Sequence, residues 1–174
     1  MEISKTARFC PDCGAAAVRQ KPNLYVCENG HNNWLDAVPG ATIYILNQKN
    51  DAVLYGVRSI GFNAGKLNVP GGFIDLGETA EQAAVREAKE EMGVDIELIT
   101  ILRTYTSGYE DRWVLNVTFV ARHIAGQPTP ADDMSGGDPR WIPIDRLPEL
   151  EELAWPWQYK AQRDLVMWHA KANA

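Results

Sequence analysis

The stretch TAEQAAVREAKEEMG, residues 79–93, constrains this chain more than any other segment. It opens on a Thr-x-x-Gln pattern in which Thr79 caps the first turn and Gln82 reaches back to it. It closes on Gly93, the residue type that best takes the left-handed conformation after a helix. Between these caps the segment reads as a helix. Its inner stripe, Ala84, Ala88 and Met92 with Val85, is small-sided, so the helix can press closely on a sheet. The other side gathers Glu87, Glu90 and Glu91 at i, i+3 and i+4, where like charges repel by about a few tenths of a kcal/mol per pair. Either that face is simply solvated, or something doubly positive stands before it.

The flanking sequence supplies the sheet. ATIYILN (41–47) and AVLYGVR (52–58) are β-branched and aromatic runs joined by the polar turn QKND, and they read as a hairpin. GFNAGKLNVPGG is a loop leading into a short strand. VDIELITILRTYTS and RWVLNVTFVARHI are two long strands, RWIPI a final short one, and WQYKAQRDLVMWHA a closing helix. Interspersed strands and helices predict an α/β fold, a mixed sheet with helices on both faces. The polar loop GQPTPADDMSGGDP has the length of loops that carry function.

Cysteine usage marks off the N-terminus. The three cysteines fall within the first 27 residues, and FCPDCGAAAVRQKPNLYVCENGH spells C-x2-C-x13-C-x3-H. Thiolate and imidazole at these spacings suit tetrahedral zinc, with Cys10, Cys13, Cys27 and His31 as ligands. Four protein ligands leave no open position, so such a Zn2+ is structural. The chain is therefore divided into a small zinc ribbon over residues 1–36 and a larger domain over 37–174, with Pro39 and Gly40 just past the boundary. The beginning MEISKTARFC lacks the apolar stretch of a secretory signal and no run reaches membrane-spanning length, which implies a cytoplasmic home and no membrane partner.

From Gly72 the sequence GGFIDLGETAEQAAVREAKEEMGV resembles the Nudix box, G-x5-E-x7-R-E-U-x-E-E-x-G-U with U apolar. Gly72, Glu78, Arg86, Glu87, Ala88, Glu90, Glu91, Gly93 and Val94 match it without a gap. Seven of these places demand one residue type, which chance supplies about once in 10^8 windows. The resemblance implies a Nudix-type α/β/α sandwich and a hydrolase of phosphoanhydride bonds that uses Mg2+ or Mn2+. Hard cations want carboxylate and carbonyl oxygens. By the resemblance Glu87, Glu90 and Glu91 hold the metal with the Gly72 carbonyl, and Glu78 touches a metal in some members. Arg86 cannot coordinate a cation and is expected to pair with Glu78. The general base is either a box glutamate, Glu87 or Glu90, or a loop acid; Asp132 and Asp133 are favoured over Asp138.

The implied substrate is a nucleotide-derived small molecule in which a nucleoside diphosphate is linked to a group X: ADP-ribose, NADH or a dinucleoside polyphosphate. A zinc ribbon ahead of the box is similar to the arrangement in NADH pyrophosphatases, although their SQPWPFPxS-like segment is replaced here by DIELITILRTYTSGYEDRW. Tyr109 resembles a marker of the dinucleoside polyphosphate class. Tyr105, Tyr109, Trp113 and Phe62 are candidate stacking residues for a base. Ribbons in related enzymes help build dimers, so a homodimer is one implied assembly. Two other readings stand beside this one: a catalytically quiet sensor of ADP-ribose-like ligands, and an enzyme removing nucleotide caps from RNA. Residues 1–36 balance Lys5, Arg8, Arg19 and Lys21 against Glu2, Asp12, Glu28 and Asp36, and the net charge is −6. On that ground nucleic acid is not expected among the partners.

Overall fold

Short, glycine-punctuated segments at the N-terminus give way to long apolar strands, and the chain divides accordingly. The structure is a computed structural model that describes residues 9–61, 63–109 and 112–172. It falls into two units, one bounded Met1–Val38 with Ser107–Val114, the other Pro39–Thr106 with Leu115–Ala174.

In the first unit, β1 (Ala17–Lys21), β2 (Leu24–Cys27) and β3 (Asn32–Trp34) form a three-stranded antiparallel sheet in the order β1-β2-β3. Two glycine turns shape it. The Gly14 N–H donates to the Cys10 carbonyl and the Gly30 N–H to the Cys27 carbonyl, at 2.8 and 2.9 Å. Both glycines have left-handed backbone, φ +72° and +80°, where a side chain would be strained. Its buried apolar side chains are Cys10, Cys27, Leu24 and Tyr25, and Asn33 is buried beside them as a polar one. So small an apolar set is a poor core by itself.

The second unit contains most of a seven-stranded sheet: β4 (Val38–Leu46), β5 (Ala52–Val57), β6 (Leu67–Asn68), β7 (Gly71–Phe73), β8 (Asp95–Tyr109), β9 (Arg112–Ala125) and β10 (Arg140–Pro143). The strand order is β10-β5-β4-β9-β8, with β6 on β5 and β7 on β4. The β4–β5, β5–β10, β4–β7 and β5–β6 pairs are antiparallel, and isolated parallel bridges join Val57 to Ser135 and Leu67 to Leu153, with Ser135 and Leu153 lying outside the sheet's strands. Helices α1 (Ala80–Met92) and α2 (Pro156–Ala172) complete the α/β architecture.

Strand periodicity assigns the two faces. Ile43 and Ile45, with Leu54 and Phe119, pack under Ala83, Ala84, Ala88 and Met92 of α1. Tyr44 and Leu46, with Val53, Tyr55 and Val120, pack under Ala161 and Leu165 of α2. With a helix on each face, β4 and β5 are buried on both sides, which is why they read as continuous apolar runs. Two polar pairs are sealed beneath α2: Gln162 Nε2 donates to Tyr55 Oη (2.8 Å), and Gln158 Nε2 to Asn68 Oδ1 (2.6 Å), while Gln158 Oε1 has no hydrogen-bond partner among the described residues.

Two expectations need correction. Val85 is exposed and not part of the inner stripe; Ala83 takes that place. The buried residues run 83, 84, 87, 88, 91 and 92, so the helix is turned far enough to sink two glutamates beside the alanines. Tyr105 is not a free stacking surface. It is buried, its hydroxyl donates to Asp164 Oδ2 at 2.6 Å, and its ring lies 5.4 Å from that of Trp157. Among the described residues, no helix is long and apolar enough to cross a membrane.

Candidate functional site

Helix α1 carries the site because both its ends are fixed. The Thr79 hydroxyl accepts from Gln82 N–H, and the Gln82 side chain accepts from Thr79 N–H (2.8 Å), a complete capping box. Gly93 ends the helix at φ +70°. The capped helix holds Arg86 as a hub. Its Nε and one terminal nitrogen donate to the two oxygens of Glu78, both at 2.9 Å, tying the preceding loop to the helix. The other terminal nitrogen donates to Glu87 (2.7 Å) and Glu90 (2.9 Å), and a further bond reaches the Phe73 carbonyl at 3.0 Å. The guanidinium holds the Glu78 carboxyl below the usual range, with help from the Asp75 N–H.

Glu87 and Glu91 lie on the buried side of the acidic face, and Glu90 is exposed. Burial pushes the Glu87 carboxyl up, only partly offset by Arg86. Glu91 is pushed up to about 9, first by burial and then by Asp133, whose carboxyl it meets; the Gly71 N–H, donating to it at 2.7 Å, pulls the other way. Gly72 lies directly against Glu87, and a Cβ there would collide with its carboxylate. A Cβ would push the flexible end of Glu87 aside, so glycine is what lets this carboxylate rest against the backbone.

The loop after β9 brings in the further acid. Thr129 N–H donates to Met92 O (2.8 Å) and Ala131 N–H to Glu91 O (2.9 Å), so the loop is stitched to the last turn of α1. A single 3-10 turn, Asp132–Met134, follows. Asp132 takes left-handed backbone (φ +48°) and leaves its side chain exposed, whereas Asp133 is half-buried against Glu91. Asp138 is exposed. Of the three loop acids, Asp133 is the one joined to the glutamates. Its partner Arg58, 2.7 Å from Asp133 Oδ2, was not anticipated from the sequence. The only signal was a cation ending the apolar run AVLYGVR.

The donor chemistry fits a hard divalent cation. Asp133 Oδ1 is buried without a hydrogen-bond donor although a second carboxyl stands beside it. Two adjacent carboxyls need a proton or a cation between them. The Gly72 cradle leaves backbone against Glu87, and all the oxygens are hard.

The first unit holds a second cluster. Cys10 Sγ and His31 Nδ1 lie 3.5 Å apart, Cys13 Sγ and Cys27 Sγ 3.8 Å, and all four ligand atoms fall within 4.8 Å of one another. A tetrahedral ion with bonds of about 2.3 Å to sulfur and 2.05 Å to nitrogen would place sulfurs about 3.8 Å apart and sulfur and nitrogen about 3.6 Å apart. The Asn29 side chain and the His31 N–H donate to Cys13 and Cys27 sulfurs at 3.4 Å. Such bonds orient thiolate ligands. Although burial opposes it, backbone N–H groups at Asp12 and Cys13 and the imidazole of His31 lower the Cys10 thiol to about 6. All three cysteines are free thiols. Tyr109 and Trp113 belong to this first unit, not to the one that carries the glutamates. Phe62 lies outside the described residues.

Residues 36–165 match the family model described as NUDIX domain. The NAD-capped RNA hydrolase NudC of Pseudomonas aeruginosa is 29% identical over 145 residues, 82% of this chain and 50% of that protein. The oxidized purine nucleoside triphosphate hydrolase of Danio rerio is 36% identical over 99 residues, 55% of this chain and 61% of that protein. This chain thus spans about half the length of the NudC relative it matches. In fold it is similar to a Nudix hydrolase from Nitrosomonas europaea, with a TM-score of 0.72 at 19% identity, covering 94% of this chain and 91% of that one. The expectation that nucleic acid is not among the partners is overturned here. Several relatives bear the name NAD-capped RNA hydrolase, and an acidic whole-chain balance does not exclude a substrate of that kind.

Proposed function

Because this chain belongs to the Nudix family, we propose that it is a Mg2+- or Mn2+-dependent pyrophosphohydrolase: water cleaves the phosphoanhydride bond of a nucleoside diphosphate linked to a group X, leaving a nucleoside monophosphate and the phosphate of X. The observation that carries the reading is the intact acidic face of α1, locked by the Arg86–Glu78 pair and joined by Asp133. Glu87, Glu90, Glu91 and the Gly72 carbonyl would hold the cation. When bound, it neutralises diphosphate charge, polarises phosphoryl oxygens and lowers the pKa of water. Arg86 orients the glutamates and does not coordinate. Asp133 or a box glutamate, Glu87 or Glu90, takes the proton of the attacking water. Cys10, Cys13, Cys27 and His31 would hold a structural Zn2+, making residues 1–36 a metal-stapled module ahead of a hydrolase domain over 37–174.

For X, the NudC relatives favour the nucleotide cap of an RNA, with NADH, ADP-ribose and dinucleoside polyphosphates as the small-molecule alternatives. A catalytically quiet sensor is the less favoured reading, since no box carboxylate is missing. The test is cleavage of NAD-capped RNA, NADH, ADP-ribose and dinucleoside polyphosphates with Mg2+ or Mn2+, products being separated by chromatography. Metal-dependent release of a nucleoside monophosphate supports the reading. Tight binding of one of these ligands without turnover would favour the sensor, and no binding or turnover at all would sink both.

A further inference from the structure

Arg58 is a buried cation that the chemistry above leaves without a task. Its side chain is 8% exposed, and its guanidinium lies 5.4 Å from the centre of the Trp155 ring. Backbone bonds fix its position: its N–H donates to Lys66 O (3.0 Å) and its carbonyl accepts from Gly65 N–H (2.8 Å). The loop that carries Asp133 is fastened to the same place. Ser59 N–H donates to Asp133 O and Gly136 N–H to Val57 O, each at 2.8 Å. A Cβ on Gly136 would collide with the Arg58 carbonyl, so the loop lies flush on this end of β5. Asp133 therefore stands between Arg58 on one side and Glu91 on the other.

Burying a guanidinium is expensive, and an apolar side chain of similar volume would often be as stable or more so. A second carboxylate beside Glu91 is also unfavourable unless something holds it there. Arg58 meets both difficulties in part through one 2.7 Å contact to Asp133 Oδ2; its own Nε and Oδ1 of that carboxylate are buried without a hydrogen-bond partner among the described residues.

We propose that Arg58 is a positioning residue, which holds the Asp133 carboxylate against Glu91 and so fixes the loop acid in the hydrolytic site. It acts through Asp133 and does not touch the reacting phosphate. This inference rests on the hydrolase reading for its kinetic consequence, but its structural consequence can be measured without turnover.

The experiment compares intact wild-type chain with Arg58→Met, Arg58→Lys, Asp133→Asn and the Arg58→Met/Asp133→Asn double variant. In Arg58→Met, hydrogen exchange over residues 131–136 should speed up about tenfold while α1 is unchanged, and Arg58→Lys should restore most of the protection. With the best substrate of the panel, Arg58→Met should lower kcat about tenfold or more and leave KM within about twofold. In the Asp133→Asn background the same change should cost less than about twofold, because the carboxylate it positions is gone. A rise in KM with kcat intact would mean that Arg58 grips substrate, and would overturn the proposal. An equal loss with and without the Asp133 carboxylate would overturn it too, as would faster exchange throughout the chain. A wild type that hydrolyses nothing would sink the hydrolase reading alone, and the exchange comparison would still decide the place of Arg58.

Discussion

Replacing Glu91 by glutamine should make the metal-free protein more stable while removing a proposed metal ligand. Glu91 is nearly fully buried beside Asp133, and its carboxyl is pushed from an ordinary 4.5 to about 9. A carboxyl raised in this way binds its proton more tightly folded than unfolded. Between those two values the folded state therefore carries more protons, and stability falls as pH rises. At pH 7.5 the group lies about three units above its unfolded pKa, so the penalty is at most about 4 kcal/mol at 1.36 kcal/mol per unit. Relaxation and water penetration reduce that ceiling, and about 2 kcal/mol is the working figure. Glutamine matches the protonated acid in shape: its oxygen can accept from Gly71 N–H, and its amide can donate to Asp133. In EDTA at pH 7.5, Glu91→Gln should therefore melt about 4–8 °C above wild type. The gap should narrow as pH falls and close near about pH 3.5, below the unfolded value, where Glu91 is protonated in both states. Millimolar Mn2+ should raise the wild-type Tm more than that of the variant. Scanning calorimetry at the two pH values, with and without metal, makes the comparison. A variant that melts at or below wild type in EDTA at pH 7.5, or a gap indifferent to pH, would refute the reasoning.

Glu90→Gln should lose at least about a hundredfold in turnover with its melting temperature little changed, because a neutral amide is a poor ligand for a hard cation and the residue is exposed; steady-state kinetics and calorimetry check both halves. Gly72→Ala should retain its circular dichroism but bind Mn2+ at least about tenfold more weakly in titration calorimetry, since the added methyl group displaces the Glu87 carboxylate. Cys27→Ser should release one zinc per chain and leave the N-terminal segment open to protease, because the ion supplies the folding energy of so small a module. Elemental analysis of wild-type protein that finds no zinc, with a protease-resistant N-terminus, would remove the metal knot.

What could be read from the sequence was local. The Thr79–Gln82 box, the Gly93 cap and the i, i+3, i+4 glutamates lie within one helix, where spacing alone determines direction, and the structure has the caps as read. The cysteine and histidine spacing likewise describes two tight turns that converge. Val85 was misassigned because it lies only one residue beyond the buried stripe; the sheet decided which neighbours went inside. Arg58 and Asp133 are 75 residues apart in the chain, and their meeting depends on a loop stitched to α1 at one end and to β5 at the other. No periodicity encodes such a junction.

The failed exclusion of nucleic acid has a different origin. Net charge governs the sequence-independent pull between a whole surface and many phosphates. It does not govern an enzyme that grips a single diphosphate at the end of a polymer. There the relevant charge is that of a face a few ångströms across, and three glutamates with a divalent ion carry a different local balance from three glutamates alone. A chain of net charge −6 can therefore accept a capped end and still repel the rest of the strand. Such repulsion would appear as cleavage of capped RNA that weakens as the RNA lengthens at low salt and recovers as salt screens it. If the rate were independent of RNA length at all salt concentrations, the polymer beyond the cap would not be feeling this surface at all.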